Sequence, residues 1–238
     1  MATFILIHGA WHGGWCWERL APLLTAAGHK VLAPDLPGMG ADTSELGNDP
    51  LSQWADFVTD LVSGAEAPVI LVGHSRGGLV ISEVAERVPV RVDRLVYLTA
   101  FLLQRRQSLM DLVADHIQVG PEAAFRQAED PSRLVVDPDL GIPIFYSRCS
   151  EADARAAASR LTPEPLAALT TPLAISAERF GRVPRAYIEA AEDRAISLEL
   201  QRAMQAALPC DPVFTLESDH SPFYSAAPEL AAALLKLA

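Results

Sequence analysis

The sequence is poor in cysteine, in runs of one charge and in long apolar stretches, and each lack excludes something. Three cysteines, Cys16, Cys149 and Cys210, stand apart in 238 residues with no C-x-x-C spacing. They give neither a disulfide framework nor a zinc site and fit a reducing compartment. Nineteen basic against thirty acidic residues leave a net charge of −11, with no cluster of Lys or Arg. Such a surface repels phosphate backbones and argues against nucleic acid as a partner. The longest apolar stretch, about Leu95 to Leu103, falls far below the roughly 20 residues that span a bilayer, so no membrane partner is expected. The N-terminal MATFILIHGAW has no basic leader and no small-residue cleavage site, and the expectation is a cytoplasmic protein. Repeats are lacking, as are low-complexity tracts apart from Ala-rich helical stretches.

What is present is an ordinary globular composition, half apolar and 21% charged, enough for one large core. Short, continuously apolar runs at Thr3–Ile7, Lys30–Ala33, Val69–Val72, Leu95–Thr99, Ala186–Ile188 and Val213–Leu216 read as strands buried on both faces. Helical patterns at Cys16–Ala27, Leu51–Ser63, Gly77–Arg87, Ser197–Ala207 and Pro228–Leu237 lie between and after them. The alternation predicts an α/β fold with right-handed crossovers and a doubly wound, mostly parallel sheet of about six strands. The rhythm breaks between residues 102 and 171, a stretch rich in Ala, Glu, Arg and Pro with helical spacing around Leu109–Ala114 and Ala152–Arg160. It reads as a mostly helical cap inserted into a core built from residues 1–101 and 172–238. Ligands of open α/β sheets bind beyond the carboxyl ends of the strands, where such a cap would sit.

The strongest chemical signal is Gly73-His74-Ser75-Arg76-Gly77, a G-x-S-x-G motif between a strand and a helix. This is the pattern of a nucleophile elbow: the glycines make room for a tight turn and Ser75 is lifted to the top of the sheet. The helix start that follows points N–H groups and a positive dipole end at the same place, favouring a developing oxyanion. A serine hydroxyl needs a base, and the base needs an acid to orient it. His220, just after the last strand, is the candidate base. His29 and His116 read as surface residues, and His74 as a neighbour whose side chain diverges from Ser75. Asp193 is the candidate acid, with Glu192 as the fallback and Glu189 nearby; it gives the chain order Ser, Asp, His. Asp219 reads as a turn-former.

The loop after the first strand, His8-Gly9-Ala10-Trp11-His12-Gly13-Gly14, is the candidate second half of an oxyanion hole. The expected donors are the backbone N–H groups of Ala10 and Arg76. Neither G-x-G-x-x-G nor a Walker pattern is complete, so a nucleotide cofactor is not expected. His8 and His12 lack helical placement and a third ligand and read as loop braces rather than a metal pair. Trp11, Phe125, Phe145 and Tyr146 are candidates for an apolar substrate pocket.

With these residues placed, the chain resembles the α/β-hydrolase superfamily, and within it the branch of plant methylesterases, hydroxynitrile lyases and bacterial esterases. The resemblance rests on Ile7-His-Gly-Ala-Trp-His-Gly-Gly-Trp-Cys-Trp17, Gly73-His-Ser-Arg-Gly-Gly78, Asp193-Arg-Ala-Ile and Ser218-Asp-His-Ser-Pro-Phe. It implies a Ser75–His220–Asp193 triad, a cap over the site and no cofactor. Hydroxynitrile lyases of the Hevea type carry Thr, Glu and Lys where this chain has Gly9, His74 and Ser221. The missing Lys argues for ester hydrolysis over cyanide release. A cofactor-free serine carboxylesterase acting on a small-molecule ester is therefore expected. Lyase-type or acyl-lactone-opening activity, or a ligand-binding receptor with vestigial hydrolysis, are the alternatives. The resemblance also raises a homodimer, for which the sequence gives no surface argument.

Overall fold

The computed structural model describes residues 1–66, 68–116 and 124–238. Its strands are β1 (Thr3–Ile7), β2 (Lys30–Leu32), β3 (Val69–His74), β4 (Val92–Leu98), β5 (Phe125–Gln127), β6 (Arg133–Val136), β7 (Glu164–Pro165), β8 (Arg185–Ala190) and β9 (Val213–Leu216). The helices are α1 (Ala21–Ala26), α2 (Pro50–Gly64), α3 (Gly77–Arg87), α4 (Leu109–His116), α5 (Pro138–Phe145), α6 (Glu151–Ala158), α7 (Leu166–Thr170), α8 (Leu198–Ala207), α9 (Pro222–Ser225) and α10 (Ala227–Leu235).

All six expected strands join one sheet in the order β2-β1-β3-β4-β8-β9, every pair parallel. Burial on both faces, expected for all six, holds for the inner strands, while the edge strands β2 and β9 are partly exposed. Ile5, Ile7, Leu71, Leu95 and Tyr97 face a layer containing Trp54 and Val58 of α2, Leu79 and Val84 of α3 and Met204 of α8. The alternate residues Phe4, Leu6, Ile70, Val72, Val96 and Ile188 face Leu24 of α1 and Leu230 and Leu234 of α10. A strand with successive side chains on opposite faces, both buried, has no place for a polar residue.

Local chemistry sets the helix ends. Asp49 caps α2 by accepting from Ser52 N–H, and Ser197 caps α8 by accepting from Leu200 N–H. The single helix expected over Cys16–Ala27 is divided into a 3₁₀ turn at Gly14–Trp17 and α1. Pro22, lacking an N–H to donate, sits in the first turn of α1 rather than inside a longer helix. Gly28, at φ 89°, then ends that helix in the left-handed conformation open to glycine.

Between β4 and β8 the chain forms α4 to α7 and a feature the sequence pattern did not announce, an antiparallel sheet β5-β6-β7. It has its own small core of Ala124, Val136, Ile144, Phe145, Tyr146 and the alanines of α6. No helix among the described residues is long and apolar enough to cross a membrane. The side chain of His116, expected at the surface of this region, lies outside the described residues.

Candidate active site

Strands β1 and β3 are neighbours, but the chain leaves β1 toward β2 on one side and resumes at β3 on the other. This reversal opens a crevice at their carboxyl ends, the usual ligand position in such sheets. Ser75 stands there between β3 and α3 at φ 52°, a conformation that L-residues rarely adopt. The turn admits no side chain two residues to either side of Ser75. A Cβ on Gly73 would lie 2.7 Å from Gly77 O, and one on Gly77 would lie 2.6 Å from Ile7 O. The strain at Ser75 is held by its own backbone: its N–H donates to Leu98 O at 3.3 Å, and its carbonyl accepts from Phe101 N–H at 3.1 Å.

His220 follows β9 and Asp193 follows β8. The His220 Nδ1–H donates to Asp193 Oδ2 at 2.7 Å, both side chains being buried. Because the carboxylate only accepts, the imidazole proton is fixed on Nδ1 and Nε2 is left as the acceptor. The same Oδ2 accepts from Thr99 Oγ1, while Oδ1 accepts from Ala195 and Ile196 N–H at 2.7 and 2.9 Å. Four donors therefore orient this one carboxylate. Thr99, which leaves the end of β4 at φ 35°, was not among the expected site residues; only its place at a strand's carboxyl end could have marked it. Glu192 lies in the exposed pair with Arg148, and Glu189 is engaged with Arg202, Gln205 and Thr215. Neither is bonded to His220. Asp219 accepts from Ser221 N–H and Ser225 Oγ, as a turn-former does, and also holds Arg148 N–H.

Ser75 and His220 face one cavity of about 370 Å³, and no hydrogen bond joins Ser75 Oγ to His220 Nε2 among the described residues. Such bonds are often long before substrate arrives. Ala10 and Arg76 line the same cavity, and their backbone N–H groups have no acceptor among the described residues. Trp11, Phe125 and Phe145 line it, together with Phe101, Leu109, Val113, Leu134 and Ile196; among the described residues Arg194 and Arg76 are its basic lining residues. Tyr146 does not. It stands behind the wall, donating its hydroxyl to His12 Nε2 at 2.8 Å, so its place in the pocket is corrected to a bracing one.

The histidines behind the site are neutral. His12 Nδ1–H donates to Ala10 O at 2.7 Å, and burial lowers its pKa to about 4. His8 accepts from Leu36 N–H through Nε2 and donates through Nδ1–H to Gly9 O at 2.9 Å. Its pKa is held well below the usual value, by burial first and by the Arg76 charge second. His74 donates its Nε2–H to the His220 carbonyl at 2.7 Å. Burial, followed by His220, depresses its pKa as well. His74 thus fixes the backbone that carries His220, a contact that sequence adjacency to Ser75 does not reveal.

A second charged pair lies within the site. The Arg76 guanidinium, fully buried over the Trp54 ring at 4.1 Å, donates through Nε to Glu164 Oε1 at 2.9 Å and through Nη2 to Gly9 O at 3.1 Å. Glu164 Oε2 accepts from Trp11 N–H at 3.1 Å. Burial raises the Glu164 pKa, and the Arg76 charge opposes that shift. Sequence reasoning takes Arg76 for its backbone alone and misses Glu164, which lies in β7 of the antiparallel sheet.

A model of the alpha/beta hydrolase family matches residues 4–233. The chain belongs to that family. Methylesterase 1 of Arabidopsis thaliana is 32% identical over 99% of this chain and 95% of its own length. The chain spans 63% of a longer, chloroplastic methylesterase-type relative from the same plant. Among solved structures, polyneuridine aldehyde esterase superposes with a TM-score of 0.88 at 25% identity, covering 100% of this chain and 99% of its own. A pyrethroid hydrolase from Sphingobium faniae gives 0.86 at 29% identity, over 99% and 96%. Each of these relatives is named as an esterase or hydrolase.

Proposed function

We propose that this α/β-hydrolase is a cofactor-free serine carboxylesterase of small or apolar carboxylic esters. The observation that carries the proposal is the buried His220–Asp193 bond beside a cavity that also holds Ser75 on its strained turn. His220 Nε2 takes the Ser75 proton as Oγ attacks the ester carbonyl. The oxygen that becomes negative is received by the N–H groups of Ala10 and Arg76, which have no other acceptor among the described residues. His220, now imidazolium and steadied by Asp193, gives its proton to the departing alkoxide. Water, deprotonated by the same nitrogen, then cleaves the acyl-enzyme and restores Ser75.

The walls support the substrate class. Trp11, Phe101, Phe125, Leu134, Phe145 and Val113 offer an apolar surface with few polar groups, suited to an aryl or alkyl chain. The relatives named methylesterase and pyrethroid hydrolase point to ester substrates as well. The test is hydrolysis of p-nitrophenyl esters of increasing acyl length by wild type and by Ser75→Ala. Turnover by wild type that falls at least about 10⁴-fold in the variant is expected. Substantial turnover by Ser75→Ala would refute the mechanism.

A further inference from the structure

Trp11 is the one residue of the β1 loop at φ 60°, a backbone that costs a bulky L-residue on the order of 1 kcal/mol. Cap residues hold it there on three sides. Its N–H donates to Glu164, its carbonyl accepts from Thr162 N–H at 2.8 Å, and its indole N–H donates to Leu134 O at 3.0 Å. The preceding peptide, Gly9–Ala10, carries the Ala10 N–H. Its carbonyl end accepts from Arg76 Nη2 and His8 Nδ1. Donors on a peptide's oxygen both fix the plane of that peptide and polarise its N–H toward the next acceptor.

We infer that the Glu164–Arg76 pair is a positioning device for the oxyanion hole, Glu164 acting through Arg76 and Trp11 to aim the Ala10 N–H into the cavity. The inference rests on the esterase reading above. The ion pair itself has little to offer stability. Burying both charges costs solvation comparable to their attraction, and well-packed apolar replacements are often neutral or stabilising. What an apolar pair cannot do is hold the Gly9 carbonyl and the Trp11 N–H at once. Arg76 thereby serves both halves of the hole: its backbone is one donor, and its side chain orients the peptide that bears the other. The cap is then part of the catalytic apparatus, because β7 carries the anchoring carboxylate.

The test uses the double variant Arg76→Met/Glu164→Leu, which retains the Arg76 backbone N–H and the buried volume, and Glu164→Gln, which keeps the shape and removes the charge. Thermal unfolding, kcat and KM on the p-nitrophenyl series, and affinity for an alkyl trifluoromethyl ketone are measured for each. That ketone forms a hemiketal oxyanion with Ser75 and so reports the hole directly. The double variant is expected to melt within a few degrees of wild type. Its kcat and its affinity for the ketone should fall together by roughly 10- to 100-fold, below the loss for complete removal of a donor, with KM within about threefold. If the double variant does not fold, Glu164→Gln is read by the same criteria. A folded variant whose kcat stays within twofold of wild type overturns the inference, as does a fall in kcat with unchanged affinity for the ketone. Wild-type hydrolysis that is absent or independent of Ser75 removes the esterase reading and this inference together. Ser75-dependent hydrolysis with unaffected variants removes this inference alone.

Discussion

Ser75, Asp193 and His220 stand on turns leaving strands of a six-stranded parallel sheet, whereas Phe125, Leu134 and Phe145 come from a three-stranded antiparallel sheet and its flanking helices. In the first region the backbone leaves few alternatives. The elbow has no room for a Cβ at Gly73 or Gly77, and the Asp193 carboxylate is held by four donors. In the second region the cavity surface is made of interchangeable apolar side chains, and behind it Glu164, Thr162 and Tyr146 reach residues of the first region. The difference divides the work. Substitutions in the sheet region should lower the rate on every ester alike, while those in the cap should change which ester is preferred.

The largest expected effect tests the sheet side. Asp193→Asn keeps the shape but turns an obligate acceptor into a group that also donates, so His220 no longer has its Nδ1 proton fixed by a carboxylate. A drop in kcat of roughly 10³- to 10⁴-fold is expected, equal for short and long acyl chains. A loss that varies strongly with chain length would blur the division. Steady-state kinetics on the p-nitrophenyl series decides it.

The next effect comes from the seam between the regions, where His12 links Ala10 of the sheet loop to Tyr146 of the cap. Its folded-state pKa, about 4, lies below the ordinary value of 6.5. The unfolded chain therefore binds an extra proton in this interval. The stabilising contribution is complete above about pH 6.5 and is lost as pH falls toward 4, about 3 kcal/mol for His12 alone if fully expressed. His8 and His74 are depressed in the same direction by burial and add to the slope. Urea unfolding between pH 7.5 and 4.5 should show stability falling below pH 6.5. In His12→Gln the slope should be shallower by roughly 1.4 kcal/mol per pH unit over part of that range. A wild-type stability independent of pH would contradict the neutral, buried assignment of these rings.

The same two regions differ in how far a sequence discloses them. Thr3–Ile7 and Val69–Val72 announce strands because both of their faces are buried. Val213–Leu216, by contrast, is an edge strand with Val213 and Thr215 exposed and is marked only by its β-branched and aromatic residues. The elbow announces itself because only glycine fits two residues to either side of Ser75. Asking which polar residues follow strands singles out His220 and Asp193, and the structure joins the two by a hydrogen bond. Thr99, Glu164 and the role of His74 were not legible, since each acts across distances that only tertiary packing closes. Arg76 meets Glu164 across 88 positions of chain, and nothing local to either residue marks the pair. The short strands β5 and β7, of three and two residues, carry too little alternation to be recognised. Tyr146 was misplaced for a related reason: adjacent aromatic residues on the last turn of α5 face different surroundings, Phe145 the cavity and Tyr146 the histidine behind it.

The smallest expected effect tests the cap side. Val113 of α4 is partly buried and borders the cavity without touching the His220–Asp193 pair. Val113→Phe adds most of an aromatic ring to a space of about 370 Å³. The proton path is untouched, so kcat on the shortest ester should stay within about twofold of wild type. The longest acyl chains compete with the new ring for volume. Their kcat/KM should fall roughly tenfold relative to the shortest, the scale on which a methylene or two is discriminated in an apolar pocket. A uniform fall across the series would mean that α4 is coupled to Ser75 and the His220–Asp193 pair, and the division between the regions would not hold. An unchanged profile would place the acyl chain on another wall of the cavity, toward Ile196 and Arg194 rather than α4.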